Sequence, residues 1–335
     1  MRPDGAELRV VAATDRGRLV GIAPLWLVRD PLRGPRYRVI AGGLSAPVGP
    51  LAESGREREV ALVIASALSE ARPPARELGF EGHRGGSSWP LALAEAWPGR
   101  RPWIHSVPPV ASPTVCLQDL SYEQWLGGKT QNFRQQARRF RRRLERDGAR
   151  FEIAGPDGID MALNAFVELH GERWSARGGS NALVEGISPM LTEVARELAP
   201  SGRFRVATIE LEGRLISVHL FLAAGGEVSY WNGGFDERWE HHKPSLQALL
   251  FAIADSMERG DRRMDLGPGA QDYKQRLADD EDVVDTLTLV PRGLAYPLSR
   301  LRLAPHQARW GLSRRLSPDV KRRLRAALQR RGNVG

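Results

Sequence analysis

The chain has 335 residues, 41% of them hydrophobic, which suits about two ordinary domains. Its one cysteine, Cys116, excludes an internal disulfide and a multi-cysteine metal centre, and no apolar run is long enough to span a bilayer. The formal charge of +9 is concentrated: residues 292–335 hold twelve Lys or Arg against one acid, Asp319, so the basic character belongs to a tail while the rest is slightly acidic.

Met1-Arg2-Pro3-Asp4 leads straight into a strand and not into a secretory signal, so a soluble, cytoplasmic protein is expected. Residues 8–13, 19–28 and 37–41 read as strands, followed by a Gly/Pro-rich loop at 42–50. Residues 56–71 read as a helix with an apolar stripe (Val60, Val63, Ile64, Ala67, Leu68), stopped by Pro73-Pro74. Strands at 75–80 and 102–107 flank a helix at 91–96. The Pro-rich stretch 107–113 reads as a linker, and Cys116 as a small buried residue of the strand at 114–117.

Residues 121–147 read as one long helix. Phe133, Ala137, Phe140 and Leu144 share a face, and seven arginines between Arg134 and Arg146 cover the rest. The aromatics lie on the apolar stripe and not among the arginines. This argues against specific nucleic-acid recognition, although tRNA contact stays open. A strand at 151–153, helices at 159–176 and 189–198, and an antiparallel meander at 204–211, 214–224 and 228–235 follow. Then come a helix at 245–258, a strand at 263–266, the turn Gly267-Pro268-Gly269, a short helix at 271–278 and a strand at 283–290. The run from Arg9-Val10 through Gly17-Arg18-Leu19-Val20 aligns without a gap with Arg205-Val206 through Gly213-Arg214-Leu215-Ile216, at an offset of 196 residues. Both read as hairpins with a turn glycine, and two copies so far apart indicate two similar domains. The expected division is 1–112, 113–290 and a basic helical tail, 291–335.

This order, with Asp265-Leu266-Gly267-Pro268-Gly269 and Asp272-Tyr273-Lys274-Gln275-Arg276, resembles the GNAT acyltransferases. It is most similar to the tandem-domain branch of Fem-type peptidoglycan enzymes and of acetyltransferases linked to cellulose and exopolysaccharide synthesis. Leu169-His170-Gly171-Glu172-Arg173-Trp174, Tyr230–Asp236 and the basic helix from Lys129 to Glu145 carry the same resemblance. It implies an α/β (α+β) fold: tandem GNAT-like domains with mixed, largely antiparallel sheets flanked by helices. The first domain starts at its meander and so looks truncated by roughly 50–70 residues. The resemblance implies acyl-CoA, in particular acetyl-CoA, as donor. The reaction would be N- or O-acyl transfer to an amino sugar, glycan precursor or related amine in polysaccharide or cell-envelope biosynthesis.

GNAT enzymes bind the coenzyme A pyrophosphate on a Gly-rich turn opening a helix. The corresponding stretch here, His241-His242-Lys243-Pro244-Ser245-Leu246, has no glycine. The physical case for an anion site survives, because a helix N-terminus offers unpaired N–H groups and partial positive charge, and Pro244 suits a first helical turn. His242, Lys243, Ser245 and Lys274 are therefore the candidates for the donor's phosphates. Paired histidines without a carboxylate at helical spacing make a poor zinc site, and no metal is expected. Acyl transfer needs a base, an oxyanion donor and an acid for the leaving thiolate. The resemblance puts the acid at Tyr273; Asp265 and Asp236 are candidate bases, with His219 a weaker one that reads as a core residue. Trp174, Tyr230 and Trp231 are candidates for an acceptor or acyl pocket. In the tail, Val320, Leu324, Ala327 and Leu328 form an apolar stripe among arginines, which suits peripheral contact with an anionic membrane. The alternatives are Fem-like transfer from aminoacyl-tRNA and a non-catalytic GNAT-fold binding module.

Overall fold

The computed structural model describes residues 5–30, 34–42, 48–175, 187–269 and 271–304. In chain order these form β1 (Glu7–Asp15), β2 (Arg18–Asp30), β3 (Gly34–Val39), β4 (Leu51–Ala52), α1 (Glu57–Glu70), β5 (Glu77–Arg84), α2 (Trp89–Ala96) and β6 (Trp103–Cys116). There follow α3 (Tyr122–Gly127), α4 (Gln131–Arg146), β7 (Arg150–Ile153), α5 (Ile159–Ser175), α6 (Ile187–Leu198), β8 (Phe204–Leu211), β9 (Arg214–Ala224) and β10 (Glu227–Phe235). A 3-10 turn, Glu237–His242, leads to α7 (Pro244–Glu258), β11 (Arg263–Asp265), α8 (Asp272–Leu277) and β12 (Asp280–Val290). The architecture is mixed α/β, with helices flanking mixed sheet. The chain divides into two compact units: Val110–Val283, called the second unit below, and a first unit made of the described residues among 2–42, 47–109 and 284–335.

In the first unit β1, β2 and β3 form an antiparallel meander, and β3 then runs parallel to β5, which pairs antiparallel with residues 284–289 of β12. Val60, Ile64 and Leu68, one face of α1, pack with Leu25, Leu27, Leu78 and Phe80 from the strands. In the second unit β7, β8, β9 and β10 are antiparallel, β10 runs parallel to β11, and β11 pairs antiparallel with residues 114–116 of β6. Helix α7 covers one sheet face through Leu249, Leu250 and Ile253, which pack with Phe221 and Val228; α5 and α6 cover the other through Phe166 and Leu191, which pack with Val206, Val218 and Leu220.

The repeat read from the sequence holds at backbone level. Both hairpins, β1–β2 and β8–β9, shift register at one place, Ala13/Thr14 and Ile209/Glu210, which are again 196 residues apart. Both turn on a positive-φ pair, Arg16-Gly17 and Glu212-Gly213, and this backbone twist matches that of the flanking strands.

Three local expectations are corrected. The helix expected over 121–147 is two helices. Gly127-Gly128 ends α3, and Thr130 opens α4 by accepting the Phe133 N–H at 3.3 Å. Between them Lys129 Nζ donates to the carbonyls of Leu277 (2.7 Å) and Ala278 (2.9 Å), so this lysine anchors a bend instead of extending a basic face. The stretch 107–113 is strand and not loop, part of β6, and the division between the two units falls within it, between Pro109 and Val110. Proline's fixed φ suits an extended chain, and Pro108 and Pro109 are exposed, where a missing N–H costs little. Cys116 is exposed because it ends that strand. The stripe at 320–328 lies outside the described residues.

Candidate functional site

The site begins where two parallel strands part. β10 and β11 pair only over Glu227–Ser229 and Arg263–Asp265. Beyond Ser229, β10 continues to Phe235 bonded to β9 alone, with a bulge at Trp231. One edge of Tyr230–Phe235 therefore has no strand partner among the described residues; at Gly233 side chains take the strand's place, the N–H donating to Asn232 Oδ1 at 2.9 Å and the carbonyl lying 3.1 Å from His170 Nδ1.

The turn after β11 is held from inside. Asp265 Oδ1 accepts from Ser112 Oγ at 2.6 Å and from the Gly267 N–H at 2.8 Å. Gly267 (φ 79°) and Gly269 (φ 114°) take up backbone angles that a side chain would strain. Lys274, one turn into α8, is buried and donates to the carbonyls of Gly267 (3.0 Å) and Pro268 (3.1 Å). Desolvation lowers its pKa to about 8, although the Asp265 carboxylate works in the opposite direction.

Across from this turn stands the N-terminus of α7. Its N-cap is Lys243 in the left-handed region (φ 53°, ψ 48°), with no side-chain cap, Pro244 at the first position and no acid in the first turn. The N–H groups there are oriented for an anion. Between α7, α8 and the free part of β10 lies a cavity of about 480 Å³, lined among others by Arg173, Tyr230, Trp231, Gly233, Lys243, Ser245, Tyr273 and Lys274.

Six residues singled out from the sequence thus meet at one cavity: Lys243, Ser245, Tyr230, Trp231, Tyr273 and Lys274. Burial raises the pKa of Tyr273, with Arg173 a smaller opposing influence, so the phenol keeps its proton at neutral pH. Lys274 reaches the cavity wall with its ammonium already committed to two carbonyls, a clasp on the turn. Three residues stand elsewhere. His242 is buried with Nε2 2.8 Å from Asp147 Oδ2, which turns it away from the α7 terminus. Asp236 caps the 3-10 turn and is bonded to Arg238 (2.6 Å), which holds its carboxyl below the usual range. Asp265 is buried beneath the turn that it stabilises. The side chain of Trp174 lies outside the described residues.

Two further residues matter. Arg173, on α5, stacks over Phe235 (4.7 Å) and lines the cavity; its place beside Trp174 in the quoted motif was the only sequence signal. His219 is buried against Tyr230, their rings stacked at 5.4 Å and 23°. Burial lowers its pKa to about 3, so it is neutral. Among the described residues no group of three or more His, Cys, Asp or Glu could hold a metal, and no helix is long and apolar enough to cross a membrane.

The second unit, with its parallel strand pair splayed beside a helix N-terminus, has similar proteins of known fold. Residues 131–275, most of the second unit, match the family model of the acetyltransferase (GNAT) domain. No curated protein matches the chain. Among solved structures the chain is similar to FemX (12% identity, 89% of this chain and 91% of that one, TM-score 0.63). It is also similar to the C-terminal domain (DUF2156) assigned to a lysylphosphatidylglycerol synthetase from Agrobacterium fabrum (12% identity, 90% and 88%, TM-score 0.57). At these identities the likeness concerns the fold.

Proposed function

We propose that the chain is an acyltransferase of the tandem Fem-like and exopolysaccharide-associated branch. It moves an acyl group, acetyl in the first instance, from acyl-CoA to a nitrogen or oxygen of an amino sugar, glycan precursor or related amine. The observation that carries this reading is that Tyr273 and the Lys243–Ser245 helix terminus line one cavity. The pyrophosphate of the donor is held by the N–H groups of α7 and by Lys243. The amides of the pantetheine arm run along the edge of β10 that has no strand partner among the described residues, which brings the thioester toward Tyr273. The acceptor attacks the thioester carbonyl, N–H groups of β10 stabilise the tetrahedral oxyanion, the C–S bond breaks as Tyr273 gives its proton to the departing thiolate, and the proton that the acceptor loses returns the tyrosinate to the phenol. Asp265 and Asp236 act through structure: one fixes the glycine turn, the other the 3-10 turn that delivers Lys243.

Acetyl-CoA should raise the melting temperature, because a ligand that binds only the native state stabilises it. An increase with aminoacyl-tRNA and none with acetyl-CoA would favour the second reading, Fem-like aminoacyl transfer. That reading draws on the fold likeness to FemX and on the exposed Arg138, Arg139 and Arg142 of α4. No increase with either would favour a binding module without turnover. The basic tail would place the enzyme at the inner face of an anionic membrane; equal liposome pelleting with residues 292–335 deleted would remove that idea.

A further inference from the structure

The bulge at Trp231 does more than open the edge of β10. In a regular strand residues three apart point to opposite faces, but one extra residue restores the same face. Tyr230 pairs with Phe221 and Gly233 with His219, two positions on one face of β9. Tyr230, Gly233 and His219 therefore converge. A Cβ at Gly233 would stand 2.6 Å from His219 Nδ1 and 2.8 Å from Tyr230 Oη, so both polar atoms flank the space beside this glycine.

His219 is 1% exposed, and neither ring nitrogen has a hydrogen-bond partner. Leaving buried polar atoms unsatisfied costs stability, and a fold keeps few of them. Phenylalanine has the shape to stack on Tyr230 without that cost, so packing alone does not explain a histidine here. Tyr230 lines the cavity; His219 sits behind it. The ionisable side chains of the lining are Arg173, Glu240, Lys243, Lys274 and the two tyrosines. Its one carboxylate, Glu240, stands 3.5 Å from Lys243. An ammonium group entering this cavity meets cations, whereas an uncharged hydroxyl meets phenols.

We propose that the acceptor presents an uncharged hydroxyl to Tyr230, and that His219 is a positioning residue acting through that tyrosine. When Tyr230 turns its own proton toward His219 Nδ1, the phenol oxygen keeps its lone pairs for the incoming hydroxyl. This inference rests on the acyl-CoA reading of the same cavity, which it narrows toward transfer to oxygen.

Two measurements test it. In protein labelled with 15N-histidine and saturated with acetyl-CoA, the His219 Nδ1 resonance should move on Tyr230→Phe; an unchanged resonance overturns the proposal. Thiol release from acetyl-CoA, with water and a simple polyol as acceptors, should fall at least about ten-fold in both His219→Phe and Tyr230→Phe, and no further in the double variant. His219→Asn, which keeps a hydrogen-bonding side chain, should regain part of the rate. Additive losses, an unaffected His219→Phe or no release by the parent protein overturn it. Failure of acetyl-CoA to raise the parent's melting temperature sinks the donor reading instead, and the resonance measured on the free protein then decides this one.

Discussion

The two units share a plan, and they differ at the elements on which the proposed chemistry rests. Each has a hairpin with the same register shift and positive-φ turn, a third antiparallel strand, a helix, and a strand parallel to the third over three residue pairs. The helices that follow the third strand open differently. α7 begins Lys243-Pro244-Ser245 with no acid in its first turn, whereas α1 begins with Glu57 and Glu59 near its terminus. Acidic side chains stabilise a helix start and repel an anion brought there. The next short helix differs as well: α8 carries Tyr273 and Lys274, while α2 opens with Trp89-Pro90. The proposed function accordingly assigns the anion-binding, proton-donating role to the second unit, where no acid guards the helix start, and not to the first, whose helix start carries two.

The largest expected effect breaks this comparison at the acid. Tyr273→Phe should lower kcat about 10²-fold with acetyl-CoA affinity retained, whereas Leu91→Ala on α2, an exposed position, should leave turnover unchanged. Lys274 should separate the second unit by pH. Its folded-state pKa of about 8 lies below the 10.5 of a free lysine, so between these values the unfolded chain holds the extra proton. Stability relative to Lys274→Met should therefore be flat below about pH 8 and rise by up to about 3 kcal/mol toward pH 10.5, measured by urea unfolding. Ser245→Glu gives α7 the acidic start of α1; acetyl-CoA affinity should drop at least about ten-fold while melting temperature holds or rises slightly. The smallest effect is at α1 itself, where Glu57→Gln should cost about 0.3–1 kcal/mol and leave acetyl-CoA binding alone.

Much of this contrast was legible in the sequence. The 196-residue offset exposed the paired hairpins because turn chemistry and strand alternation are local. Gly267-Pro268-Gly269 followed by Tyr273 and Lys274 marked one cavity wall, and Pro244 after a lysine marked the other. What escaped depends on contacts distant in sequence. His242 looked free to meet an anion, but Asp147, 95 residues away, holds it. Lys129 looked like part of a helix face, yet it reaches carbonyls almost 150 residues on. The prolines of 107–113 marked the junction between the units, but local composition did not show that the junction is strand. The bulge at Trp231 left no signal of its own, so the meeting of Tyr230, Gly233 and His219 emerged only from register.

Isothermal titration of the full chain with acetyl-CoA tests the contrast between the two helix termini most directly. One site per chain, lost in Ser245→Glu and kept in Glu57→Gln, is the expected result. Two equivalent sites, or unchanged binding in Ser245→Glu, would contradict the assignment of the donor to the α7 terminus.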